Sequence, residues 1–284
     1  MKRILVIILV LSAVVQVDAQ YKRRLNPIFT EAIGYPKGGW FFEPGITYAY
    51  TQGEMKNRII KETQDSLVVA DITPSSFPFI YLGAGRFNLL PNSPFINLID
   101  YGLAFKGVIY NQDTRGNLFF KDDNSIPPEQ FDDEGRWSDY NITANLNLNH
   151  YIQISESVFI MPGMGLNADF RVGGTESYSI PDTSITGYRF PETVRFFAHA
   201  RINVGIKIHR ELFIVPGFEV PLVNLKQTQN AKVTQTYWNS EYWPMLLSVK
   251  VMYHKPPRRK PCKVGVSDID LNNTRRRKRK IQLY

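Results

Sequence analysis

Residues 196–208, "FFAHARINVGIKI", place Phe196, Ala198, Ala200, Ile202, Val204, Ile206 and Ile208 on one face of an extended chain. The other face carries His199, Arg201, Asn203, Gly205 and Lys207 after its first residue, Phe197. Residues 140–154 repeat the pattern: Ile142, Ala144, Leu146, Leu148, Ile152 and Ile154 alternate with Asn141, Thr143, Asn145, Asn147, Asn149 and Gln153, and only His150 interrupts the apolar row. A period of two marks a strand, and these runs exceed the roughly 5–6 residues of an ordinary soluble strand.

Six further segments alternate less cleanly: 39–50, 77–89, 98–110, 158–172, 212–223 and 242–254. Short connectors, "LPNSPFIN", "SES" and "HRE", take turns with long ones at 51–76, 111–136, 173–194 and 224–241. Tight turns on one side and long loops on the other predict an all-β fold: a closed eight-stranded antiparallel transmembrane β-barrel with short periplasmic turns and four long extracellular loops. Trp40, Tyr48, Tyr50, Tyr101, Tyr110, Trp137, Tyr140, Trp243 and Tyr253 fall towards strand ends, where interfacial aromatics are expected.

The inward face of eight such strands is just wide enough for side chains. The expected interior network comprises Glu43, Arg86, Asp100, Lys106, Asp169, Arg171, Arg201, Lys207, Glu219 and Lys250, four acids and six bases on different strands. Such a set reads as polar filling rather than a transport path. Three Pro-Gly pairs, Pro44-Gly45, Pro162-Gly163 and Pro216-Gly217, sit inside apolar strands. The register turns each proline outward and each glycine inward, and the lost ladder bond predicts a bulge or kink at each pair.

Residues 1–19, "MKRILVIILVLSAVVQVDA", read as a secretory signal peptide cleaved near Ala19: two basic residues, an apolar run too short for a membrane helix, then Val17-Asp18-Ala19. Residues 20–37 then form an N-terminal periplasmic segment, 38–254 the barrel and 255–284 a basic periplasmic tail without hydrophobic pattern, expected to be disordered when free. The single cysteine, Cys262, allows no intramolecular disulfide, which fits a bacterial envelope. The predicted location is the bacterial outer membrane.

"PGMGLNADF" and "PGFEVPL" resemble strands of the small eight-stranded OmpA/OmpX-type outer-membrane barrels and the porin-like families of Bacteroidota. The last strand, "MLLSVKVMY", is similar to the aromatic-ended signal their assembly machinery reads. The resemblance covers about residues 38–254 and implies insertion by that machinery. The chain departs from the OmpX pattern in continuing past its last strand.

The tail holds eleven Lys and Arg against two Asp, more positive charge than the whole chain's net +8. Arg258, Arg259, Lys260, Arg275, Arg276, Arg277, Lys278, Arg279 and Lys280 are its candidate partner-binding residues. Peptidoglycan, a periplasmic protein or an envelope secretion or assembly complex would supply the anionic surface, and outer-membrane lipid and lipopolysaccharide would surround the barrel. A secreted bacterial chain makes nucleic acid an improbable partner. The expected function is structural tethering without enzymatic activity, cofactor or metal. No Gly-x-Ser-x-Gly, His-Glu-x-x-His or metal-ligand spacing occurs, and the acidic stretch in 111–136 lacks the EF-hand order. Two alternatives remain: a lipid-modifying enzyme at the extracellular rim using His199, and a soluble lipocalin-type barrel with the opposite polarity.

Overall fold

The computed structural model describes residues 28–29, 38–51, 53–62, 64–90, 93–121, 127–178, 193–225, 235–237 and 240–254. The expected signal peptide at 1–19, Cys262 and the whole basic tail lie outside the described residues. Twelve strands form one sheet: β1 (Gly38–Thr51), β2 (Met55–Glu62), β3 (Ser66–Phe77), β4 (Phe79–Leu89), β5 (Leu98–Phe120), β6 (Glu129–Asn149), β7 (Ile152–Gln153), β8 (Val158–Tyr178), β9 (Val194–Lys207), β10 (Leu212–Asn224), β11 (Gln235–Tyr237) and β12 (Ser240–Tyr253).

Hydrogen-bonded neighbours run β5-β4-β1-β12-β10-β9-β8-β6, and β6 pairs again with β5, which gives a ring of eight strands. The sheet does not end there. β5 is 23 residues long and has two hydrogen-bonding edges. β6 occupies one edge from Leu98 to Leu118. The other edge takes β4 over Leu98–Lys106 and then β3 over Ile109–Phe120. β3 pairs onward with β2, whose far side is an edge among the described residues.

This overturns the expected fold class. A closed barrel has no edges, whereas this is a twelve-stranded sheet whose eight-stranded ring carries an open arm. Two of the four expected long loops are largely strand. Residues 51–76 contain β2 and β3, and 111–136 is mostly the far halves of β5 and β6.

The ring strands keep the alternation that selected them. In β6, Asn141, Thr143, Asn145, Asn147 and Asn149 are buried while Ile142, Leu146 and Leu148 are exposed. In β9, Arg195, His199, Arg201 and Asn203 are buried while Phe196, Ile202, Val204 and Ile206 are exposed. Polar side chains point inward and apolar ones outward, the reverse of a lipocalin-type fold.

The expected bulges at Pro-Gly are absent. At each pair one ladder is unbroken: Pro44 pairs with Leu82, Pro162 with Ile202 and Pro216 with Val249. On the other side the pairing skips a few residues or stops, without slipping. β1–β12 passes from Phe42↔Val251 to Gly45↔Ser248, β10–β9 from Ile214↔Ile206 to Gly217↔Asn203, and β6–β8 ends at Asn149↔Gly163. The missing proline N–H costs one bond on one edge while the opposite edge preserves the register. In the ring the register shifts instead at Pro221/Val223 and near Tyr140/Asn141.

The glycines serve packing. A Cβ at Gly217 would collide with the Asn203 amide, and one at Gly163 with that of Asn149.

At the short-turn end the interior is apolar. Phe41, Phe87, Leu98, Phe159, Met161, Phe213, Val215 and Met252 surround Ile28 and Phe29, each 1 % exposed. The Phe29 ring lies 4.8 Å from that of Phe213 and 5.0 Å from that of Tyr151, and Lys207 Nζ donates to the Ile28 carbonyl at 2.9 Å. Two residues of the segment before the first strand thus fill the end of the ring.

Candidate functional site

Above this apolar floor the inward positions of eight strands meet in a buried polar network. Glu43 on β1 pairs with Arg201 on β9, accepts from Ser248 Oγ at 2.6 Å and lies 3.6 Å from Lys250 Nζ. Lys250 reaches Asp100 on β5 at 2.9 Å and stands 4.5 Å over the Phe41 ring. Asp100 also accepts from Asn147 Nδ2 at 2.6 Å and Asn149 Nδ2 at 2.8 Å. Arg201 Nε donates to Asn203 Oδ1 at 2.8 Å, and its Nη1 lies 3.9 Å from Glu219. Each of these charges therefore lies near an opposite charge, and Glu43, Asp100, Arg201 and Glu219 also make hydrogen bonds, which offsets the cost of burying them.

Further along, Lys106 pairs with Asp169 at 3.1 Å, and Thr143 Oγ1 donates to the same carboxylate at 2.8 Å. Beyond that, Asp139 accepts from Arg195 Nη2 at 2.6 Å and from Arg171 Nε at 2.7 Å. Tyr110, Trp137 and Tyr242 follow as a buried aromatic cluster, with Tyr110 and Trp137 stacked at 5.5 Å. The expected aromatic girdle is thus divided. Trp40, Tyr48, Tyr50, Tyr101 and Tyr253 face outward and exposed, whereas Tyr110 and Trp137 turn inside.

Of the ten expected network residues, Glu43, Asp100, Lys106, Asp169, Arg201, Glu219 and Lys250 are buried together. Arg171 and Lys207 are half-buried at the two ends of the interior. Arg86 is not part of it: β4 turns Tyr81 and Phe87 inward, so Arg86 points outward, 4.7 Å over the Trp40 ring. The phase of β4 was ambiguous because Gly83, Ala84 and Gly85 mark neither face.

Sequence reasoning missed Arg195 and Asp139. Each lies one residue before a recognised segment, on its inward phase, so carrying the alternation one position upstream finds both. The candidate tail residues Arg258 to Lys260 and Arg275 to Lys280 lie outside the described residues.

His199 is not at a rim. It is 1 % exposed, its Nε2 lies 2.7 Å from Asn147 Oδ1 and 3.5 Å from Glu219 Oε2, and these partners are an amide and a carboxylate rather than a hydroxyl or thiol to activate. The enzyme alternative built on a rim histidine loses its geometry. Among the described residues, no group of three His, Cys, Asp or Glu is placed to hold a metal ion. None of the described residues forms a helix long and apolar enough to cross a membrane.

No family model matches the chain, and no curated protein does. Among solved structures it is similar to the outer membrane protein OprG from Pseudomonas aeruginosa, at 8% identity over 79% of this chain and 100% of that one, with a TM-score of 0.32. A likeness of that size carries no argument. The expected membership of the OmpA/OmpX-type and porin-like barrels is therefore corrected, together with the tethering role that rested on that fold.

Proposed function

We propose that this protein is a non-enzymatic component of the bacterial outer membrane whose ring is bounded by lipid. One observation carries the reading: the ring is polar inside and apolar outside. Ile46, Leu82, Leu103, Leu146, Met164, Leu166, Ile202, Val204 and Leu247 are all exposed, on seven strands around the ring. Soluble monomers rarely expose a contiguous apolar patch beyond a few hundred Å², and a continuous belt of this kind needs an apolar solvent. Phospholipid and lipopolysaccharide are the partners whose chemistry fits it. The pairing of the interior's ionisable groups with one another supports the non-enzymatic reading.

The test pairs two exposed apolar positions. Val204→Arg, on the belt, should destabilise the vesicle-embedded protein by about 2–4 kcal/mol, the range for a base on a lipid-facing strand. Ile59→Arg, exposed on β2 outside the ring, should change stability by less than about 0.5 kcal/mol, as at an ordinary surface site. Unfolding in vesicles measures both. Equal effects, or a mature protein that stays monomeric without detergent, would overturn the reading.

A further inference from the structure

Arg86 is the one charged side chain in the outward row of β4, among Ile80, Leu82, Ala84 and Asn88. Its neighbours in register are Trp40 on β1 and Tyr101 on β5, and Trp40 is followed by Tyr253 on β12. Trp40, Tyr101 and Tyr253 are each exposed. The four side chains thus form one outward row across four adjacent strands, near the short-turn end of the ring. No carboxylate among the described residues pairs with Arg86.

From this row we propose that Arg86 binds the phosphate of a phospholipid headgroup, an inference that rests on the lipid-bounded reading above. The Arg86 guanidinium carbon lies over the indole, 4.7 Å from the ring centroid. Stacking uses its face and leaves the N–H donors at its edge in a rigid fork that matches two phosphate oxygens. The Tyr101 hydroxyl, on the adjoining strand, supplies a donor on the opposite flank from Trp40. Exposed aromatics at the border of an apolar belt mark headgroup depth, where a cation can meet a phosphate while the neighbouring Leu82 remains against acyl chains. An acidic lipid, whose charge has no internal ammonium to neutralise it, should bind better than a zwitterionic one.

Native mass spectrometry of the full mature chain, titrated with phosphatidylglycerol or phosphatidylcholine, reads the site directly. One phosphatidylglycerol should bind wild type about fivefold more tightly than Arg86→Gln, the equivalent of the ~1 kcal/mol a basic residue gains at an anionic surface. Arg86→Lys should fall between them, since it keeps the charge and loses the fork. Arg86 is exposed, so these variants should fold and float with vesicles as wild type does. Equal phosphatidylglycerol binding by wild type and Arg86→Gln, with both still floating, overturns the site and leaves the lipid-bounded reading standing. Displacement by millimolar inorganic phosphate overturns the lipid as its occupant. Failure of wild type itself to float overturns both.

Discussion

The ring and the arm are parts of one sheet that obey different rules. In the ring, each strand has two partners and buried side chains on one face, and the ladders hold register through three prolines. In the arm, β2 pairs on one side only among the described residues. Its pairing with β3 shifts register twice within eight residues, and Asn57 adopts a positive φ of 51°. Lys56, Arg58 and Lys61 line this edge strand. Bulges and lysines are how an exposed edge avoids pairing with another chain. A slip in the ring would carry charges to the apolar face, whereas β2 is solvated on most of its positions and little opposes a bulge.

Breaking the ring's network should produce the largest effect. Arg201→Met removes a buried cation from between Glu43 and Glu219. Stranding a buried charge typically costs ~3–5 kcal/mol, so the unfolding midpoint of the folded protein should drop steeply. The arm equivalent, Arg115→Met, removes an exposed partner of Asp132 at 3.4 Å. It should cost at most about 1 kcal/mol, as exposed pairs do. Comparable losses would mean that the interior network is not what holds the ring.

This contrast also marks how far the sequence could be read. The inward rows of β6 and β9 were legible because they are polar over most of their length while their outward rows are apolar. The inward phase of β4 was not, because Phe87 and Leu89 face the apolar floor and Tyr81 packs against Ala104 and Leu246, so its inward row is as apolar as Ile80 and Leu82 outside. No local pattern announces that floor, since it depends on Ile28 and Phe29 arriving from outside the sheet. The arm was hidden for a different reason. The far halves of β5 and β6 alternate, but their outward residues include Asp113, Arg115, Asp132, Glu134 and Arg136, so the stretch reads as a polar loop. Pairing between distant strands, not composition, makes it a sheet.

A smaller effect separates the two regions by shape alone. At Gly217 an added methyl would meet the Asn203 amide, which is held by Arg201 and by the Met161 carbonyl at 3.1 Å. Gly217→Ala should therefore cost about 1–3 kcal/mol, the range for overpacking. At Gly53, next to the arm, a Cβ would have nothing within 4 Å. Gly53→Ala should be neutral or slightly stabilising, through reduced freedom of the unfolded chain. Thermal unfolding of both variants checks the pair. If Gly217→Ala is also neutral, the Asn203 amide is not held in place.

The smallest expected effect lies at the base of the arm and depends on pH. Lys121, just beyond β5, donates to Glu62 Oε1 at 2.8 Å, and its amide donates to the Asp65 carbonyl at 2.8 Å, so the end of β2 and the turn into β3 are both fastened there. The Lys121 hydrogen bond and charge lower the Glu62 pKa below its ordinary 4.5. A carboxyl whose folded pKa is depressed contributes stability that is present above the unfolded value and lost as pH falls through the folded one. Amide exchange in β2, corrected for intrinsic rates, should therefore be steady from pH 7 to about 5 and accelerate below about 4. Protection in the ring ladders should not follow it. Both groups are exposed, so added salt should shrink the effect through screening, and Glu62→Gln should remove the acid-dependent part. If β2 loses protection in acid to the same extent in the Glu62→Gln variant, the arm is held by its other contacts, of which the Asp71 carboxylate accepting the Asn57 amide at 2.7 Å is the first to examine.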